Sequence, residues 1–352
     1  MKPRARDLGI TIGQLSPGPL NAITDVPGVR VAHVTLQGQA DSGKSINSGV
    51  TLIEPRAGSA REQPCFAGVH VLNGNGDATG LEWVREAGLL TSPIAFTNTH
   101  SIGTVRDALV ALERDALADR DARYWSMPVV METYDGLLND INGFHVRPEH
   151  VATAQQAATS GPVAEGAVGG GTGMICHEFK GGSGTASRRL SAAQGGWTVG
   201  AIVQANHGQR RELRVDGYPV GRFLDAIASP FQQAELPHPG MGSIVVCLAT
   251  DAGGGTEDSG GDIFIAFATG NDALQAADYA HKGACSSSVQ MVNNDHLSEL
   301  FLAAAEAVEE AIINALLAAT ETQGNGHLAK ALDGPSLLAA LRRAGWSAPG
   351  QG

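Results

Sequence analysis

Aromatic side chains make up only 5% of this 352-residue chain, and no stretch of it is densely basic. Lys and Arg number 24 against 36 Asp and Glu, a net charge of -12. Such a surface repels phosphate backbones, so no nucleic-acid partner is expected. The pairs Arg188-Arg189 and Arg210-Arg211 stand alone and are expected on the solvated surface. Apolar runs approaching the about 18 residues that span a bilayer are missing, so no membrane association is expected. Met1 to Ile10 carries Lys and Arg with no apolar segment behind them, and no signal peptide is read there. Cys65, Cys176, Cys247 and Cys285 lie far apart without a C-x-x-C pair, which suits free thiols in a reducing compartment. A cytoplasmic protein is expected.

The common catalytic signatures are missing as well. There is no H-E-x-x-H, no G-x-S-x-G and no G-x-x-x-x-G-K-[ST]. The 11 histidines show no metal-ligand spacing, so no metal and no zinc chemistry are expected. Asn73 to Gly80 reads G-x-G-x-x-x-G between a strand-like run and a helix, but no acidic residue ends a second strand about 20 residues on, as a dinucleotide site requires. A tight turn packing helix on sheet is the better reading. Asp258-Ser259-Gly260-Gly261 resembles the surroundings of a trypsin-like serine, yet the helical C-terminal region contradicts that all-β fold.

What is present is a full core and much glycine: 43% apolar residues and 46 Gly. Apolar positions recur at three and four over 295–319, with Asp295 where an N-cap belongs and Glu306, Glu309 and Glu310 off the stripe. Shorter helices are read at 81–88, 105–117 and 335–344, and another after Pro148. Strand-like runs bounded by Gly fall at 29–34, 69–72, 94–97, 198–204, 243–249 and 262–268. The last two are nearly all apolar, as in strands buried on both faces. Two packed sheets covered by helices, in one α/β domain over 1–352, account for this pattern.

Two glycine clusters remain open at this level. Gly169 to Met174 and Lys180 to Thr185 could cradle a phosphate or form close-packed loops. The segment Pro239 to Val246 runs a glycine-rich loop into a buried strand, with Ser243 at the start. Read plainly it is an ordinary strand start. Read chemically, Ser243 attacks the carbonyl of Gly242, and hydrolysis frees a Ser243 α-amine whose pKa near about 8 lets it act as base without any histidine.

Further segments carry a resemblance across nearly the whole chain: Arg4 to Ile10, Pro17 to Val29, Asn73 to Gly80, Thr97 to Gly103, Glu132 to Ile141, Val168 to Met174, Val203 to Asn206, Gly242 to Ile244, and Asn294-Asp295 leading into Glu306 to Glu310. In this order they resemble the DmpA-like aminopeptidases, which include L-aminopeptidase/D-esterases and β-peptidyl aminopeptidases. The resemblance implies a four-layer αββα sandwich like that of N-terminal-nucleophile hydrolases, with different strand connectivity. It implies self-cleavage into an α chain, 1–242, and a β chain, 243–352, several αβ units per assembly, peptide, amide or ester substrates with a free N-terminus, and no cofactor. It assigns Ser243 as nucleophile, Asn206 to the oxyanion, Glu132 to the substrate ammonium and Tyr134 to a hydrogen bond near the reacting centre. Without the resemblance, Glu132 reads as a solvated acid and Tyr134 as a core aromatic.

One segment departs from the family. Relatives carry a helix after the nucleophile's strand and then a Ser-Gly-acid motif, whereas here Ala252 runs directly into Gly253 to Asp262. Aligned on the strand at 262, the acid is Asp262 and the serine position falls on Gly260. Ser259 supplies the hydroxyl only if the loop shifts by one residue. An uncut, silent homologue acting as a scaffold is the competing expectation. Acyl transfer by relatives of this fold, and their endo-acting amidases, use Thr where this chain has Ser243.

Overall fold

The computed structural model describes residues 2–117, 124–231, 242–252, 263–275 and 286–348. In chain order its strands are β1 (Arg30–Gln39), β2 (Ser45–Glu54), β3 (Cys65–Val71), β4 (Leu89–Leu90), β5 (Ile94–Asn98), β6 (Val129–Thr133), β7 (Ile175–Cys176), β8 (Phe179–Lys180), β9 (Gly182–Arg189), β10 (Thr198–His207), β11 (Gly242–Thr250), β12 (Ile263–Ala268), β13 (Thr322–Gly324) and β14 (His327–Ala329). The helices are α1 (Leu81–Ala87), α2 (Ile102–Ala116), α3 (Pro148–Ala157), α4 (Ser298–Ala318) and α5 (Gly334–Arg343).

Two sheets form the centre: β1-β2-β5-β6, and β4-β3-β12-β11-β10-β9. Side chains alternate along each strand, so one strand serves two cores. On β11, Val245, Cys247 and Ala249 meet Phe96 and Met131 of the facing sheet, while Ile244 and Val246 join Ala307, Ala311 and Leu316 of α4. On the far side, Leu52, Ala95 and Val130 pack under Val105, Leu109 and Val151 of α2 and α3. Helices, sheet, sheet, helices: the chain is the four-layer αββα sandwich the sequence led us to expect.

Most strand neighbours are antiparallel, but β11 and β12 pair in parallel, with Val245 opposite Ile263 and Thr250 opposite Ala268. A parallel pair needs a returning connection of about a dozen residues or more. Residues 251–262 are all this chain has between those strands, so the connection is near the shortest that can close the pair.

Several sequence expectations need correction. The helix over 295–319 begins later: Asn294–His296 is a 3-10 turn, and Asp295 donates its backbone N–H to the Asn293 side chain instead of capping α4. Arg188 and Arg210 are not surface residues. Arg188 is wholly buried, and Arg210 is buried with its guanidinium 4.4 Å from the Phe179 ring centroid. Arg188 donates to Glu306 at 2.9 Å and to Glu310 at 2.8 Å. Those acids also hold the N-terminal segment: Arg6 reaches Glu310 at 3.0 Å, and the Gln14 and Leu15 N–H groups reach Glu306 at 2.7 and 3.0 Å. Spacing places these acids off the apolar stripe; tertiary packing buries them beneath the N-terminal segment.

The glycine clusters resolve as packing. Gly184 lies where α4 crosses β9, and a Cβ there would overlap the Ala311 carbonyl. The 169–173 turn is fully buried, and a side chain at Gly170 would overlap Gln204 and press on the Phe96 carbonyl. Neither cluster is open to a phosphate. The turn over 73–80 does pack α1 onto the sheet, with Gly80 at φ 75° and too close to the Met127 carbonyl for any side chain.

Candidate active site

Antiparallel register sets Asn206 of β10 directly opposite Ser243 of β11, and His207 opposite Gly242. Ser243 shares the parity of Val245 and Cys247, so it belongs to the face between the two sheets. It is only 9% exposed. Gly242 has φ 103°, and a Cβ there would lie 2.5 Å from the Asn206 carbonyl oxygen and 2.6 Å from the His207 Cα. Only glycine fits immediately before this serine.

The Asn206 side chain is fixed at one end. Its Oδ1 accepts the Ile175 N–H at 2.8 Å, and its amide NH2 meets no partner among the described residues. Beside it opens a cleft of about 280 Å³ lined by Ser243, Asn206, Tyr134, Leu137, Ile175 and Phe231, with Asn75 at one side. Its wall is mostly apolar, with a neutral donor and a hydroxyl placed together at one point.

Glu132 stands at the end of β6, 3% exposed. Its two oxygens accept the Asp77 N–H at 2.9 Å and the Thr99 hydroxyl at 2.5 Å. Burial holds its carboxyl above the usual range, while those two hydrogen bonds pull it back. It stands apart from the residues lining the cleft, near its Asn75 side, through the turn that carries Asp77. Tyr134 is 56% exposed. The plain reading of both residues is therefore inverted: the acid is buried and the aromatic is open. Ser243, Asn206 and Tyr134, singled out in the sequence, line one cleft. Ser259, Gly260 and Asp262 lie outside the described residues.

Residues the sequence did not single out support this end of the sheet. Asp135 accepts hydrogen bonds from Ser48, Asn98 and Asn139 at 2.8, 2.9 and 3.0 Å, and burial lifts its carboxyl to about 6. Lys180 is wholly buried, donates to the Met174 and Gly181 carbonyls at 2.9 Å each, and is lowered to about 7 by desolvation. Asn98, Asp135 and Asn139 sit in segments that carried the resemblance, but nothing in their spacing reveals a shared hydrogen-bond network. One group among the described residues could hold a metal: Cys176, His177 and His207.

The model of peptidase family S58 matches residues 21–254 and 252–329. The chain belongs to peptidase family S58. The two matched stretches meet at 252–254, where the connection between β11 and β12 is short. Among characterised relatives, the chain is 44% identical to the beta-peptidyl aminopeptidase BapA of Sphingosinicella microcystinivorans, over 97% of this chain and 92% of that one. Among solved structures, a Burkholderia sp. beta-aminopeptidase is 62% identical with a TM-score of 0.90, covering 98% of this chain and 100% of the other. The L-aminopeptidase D-Ala-esterase/amidase of Ochrobactrum anthropi, described as a prototype of the serine aminopeptidases and a variant of the Ntn hydrolase fold, is 42% identical with a TM-score of 0.85, covering 98% and 99%. The S58 chain described here shares that fold.

Proposed function

We propose that this S58 chain is an aminopeptidase releasing N-terminal residues from short peptides, amides or esters, and that it generates its nucleophile by cutting itself between Gly242 and Ser243. The observation that carries the reading is the register of Asn206 against Ser243, with the asparagine NH2 unengaged beside the hydroxyl.

In the precursor, the Ser243 Oγ attacks the Gly242 carbonyl carbon. The C–N bond breaks to leave an ester, and water then releases a Gly242 carboxylate and a free Ser243 amine. In turnover that amine, with a pKa near about 8, takes the Oγ proton as the oxygen attacks the substrate carbonyl. The Asn206 NH2 donates to the oxyanion. The leaving amine departs with the proton, and water attacks the acyl group on Ser243. Glu132, as carboxylate, attracts the substrate ammonium toward the Asn75 side of the cleft, and Tyr134 supplies a hydroxyl at the rim. Asp262 supplies the acid of the set, and Ser259 its hydroxyl if the loop shifts by one residue. No metal or organic cofactor takes part.

The names of two relatives, a beta-peptidyl aminopeptidase and a beta-aminopeptidase, make a β-residue the first N-terminal group to test against L- and D-α-residues. Among the described residues no helix is long and apolar enough to cross a membrane. We assign the protein to the cytoplasm as an assembly of several αβ units.

Intact mass of freshly purified protein, beside Ser243→Ala, tests the reading. Fragments 1–242 and 243–352, absent from the variant, would support it. A single uncut chain of 36.3 kDa in both samples would overturn it and favour the scaffold.

A further inference from the structure

We propose that Cys176, His177 and His207 form a binding site for a borderline-soft divalent cation of the zinc type, and that occupancy of this site inhibits the adjacent cleft. Cys176 ends β7, His177 opens the turn after it, and His207 ends β10. Their ligand atoms all lie within 4.8 Å of one another. The Cys176 Sγ is 3.8 Å from the His207 Nδ1. Tetrahedral zinc, with bonds of about 2.3 Å to sulfur and about 2.0 Å to nitrogen, holds such a pair about 3.5 Å apart.

The protonation chemistry fits the geometry. The His177 Nδ1 lies 2.8 Å from the Gln209 carbonyl oxygen. A carbonyl only accepts, so the proton sits on Nδ1 and Nε2 keeps its lone pair, the usual arrangement of a ligating imidazole. The Cys176 thiol exchanges its proton for the cation on binding: the S–H bond breaks, the sulfur–metal bond forms and one proton leaves to solvent. One thiol with two imidazoles selects zinc-like ions over Mg²⁺ or Ca²⁺, and three protein ligands leave a fourth position open. His207 lines the cleft and provides the way in.

Position makes the site inhibitory. His207 lies opposite Gly242 in the β10–β11 register, and Ile175, next to Cys176, carries the N–H that fixes Asn206. A net positive centre held by His207, which lines the cleft with Asn206 and Ser243, opposes the substrate's ammonium group there. The inhibitory half rests on the proposed roles of those two residues; the binding half does not.

The test uses the full chain, freed of metal by dialysis against a chelator and titrated with Co²⁺ and then Zn²⁺. One Co²⁺ per chain with a near-ultraviolet thiolate-to-cobalt band, displaced by Zn²⁺, is expected, together with a more than tenfold loss of amide hydrolysis at one equivalent of Zn²⁺. Cys176→Ala should lose the band. His177→Gln should bind at least tenfold more weakly and escape inhibition, and it carries the test if the cysteine variant unfolds. Absence of the band, or an undiminished band in folded Cys176→Ala, would overturn the site. Full occupancy with unchanged hydrolysis would overturn the inhibitory role. No hydrolysis before metal is added would instead overturn the aminopeptidase reading, and the cobalt band would still decide the site.

Discussion

Asn206 and Ser243 face each other across two antiparallel strands, and the backbone N–H of Ile175 holds the asparagine by its oxygen at 2.8 Å. A carboxamide held this way has one orientation, with its donor edge turned away from Ile175. Replacing it by alanine removes the proposed oxyanion donor, a change worth about 10²–10³ in kcat. Asn206→Ala should show that loss with KM changed only a few-fold. The same donor would serve the first attack on Gly242, so uncut precursor should accumulate on a denaturing gel.

Gly242 is constrained twice, by φ 103° and by the Asn206 carbonyl oxygen 2.5 Å from where a Cβ would sit. Gly242→Ala should cost about 1–3 kcal/mol of stability through backbone strain and slow self-cleavage. Thermal denaturation with a time course of fragment appearance checks both. Cleavage at the wild-type rate would remove the requirement for this backbone shape.

Glu132 gives a pH signature. Its carboxyl is raised by burial, so the anion that would bind substrate ammonium disappears as pH falls through a value above the usual about 4.3. The Ser243 amine must be unprotonated as well, which sets a first limb near about 8. The wild-type log kcat/KM should therefore fall with slope 1 below the amine pKa and slope 2 below that of Glu132. Glu132→Gln should keep slope 1 throughout and raise KM for substrates with a free ammonium, leaving N-acetylated analogues equally poor.

Arg188 is the stability prediction. Arg188→Met leaves Glu306 and Glu310 buried with Arg6 as the remaining cation beside them, and breaking a buried pair costs about 3–5 kcal/mol. Denaturant unfolding of the uncut Ser243→Ala background checks this at constant covalent structure. A change below about 1 kcal/mol would mean that water reaches the acids.

The sequence was most informative where periodicity was strong. The apolar runs at 243–249 and 262–268 became β11 and β12, and the three-four repeat became α4. β9 was missed because Gly182 to Arg189 contains almost no large apolar residue; it is buried by the close approach of α4, which glycine permits and periodicity does not register. Arg188 and its acids were misplaced for a related reason. Charge in a sequence defaults to surface, and only the fold shows the N-terminal segment closing over them. At the site, Ser243 and Asn206 were legible through resemblance, and the register sets them opposite each other. The Cys176, His177 and His207 group was not, since the end of β7 must pack against β10, where the His177 N–H meets the His207 carbonyl at 2.7 Å, before the third ligand meets the first two.

The Arg188 cluster also bears on the order in which this molecule can be made. Arg6, Asn21 and Arg188 precede the proposed cut, while Glu306, Glu310 and Asn314 follow it, and Asn314 accepts the Ala5 N–H at 3.1 Å. The larger sheet is interleaved in the same way, with β11 and β12 lying between β10 and β3. Neither fragment would own the whole of the larger sheet, and each would carry part of a buried charge cluster. Two halves synthesised apart would each lack strands of the larger sheet, and the first would carry Arg188 without the acids it pairs with. The cut can then come only after folding, and it is a one-way step: heated and cooled, the uncut Ser243→Ala chain should regain its structure, and the cleaved enzyme should not.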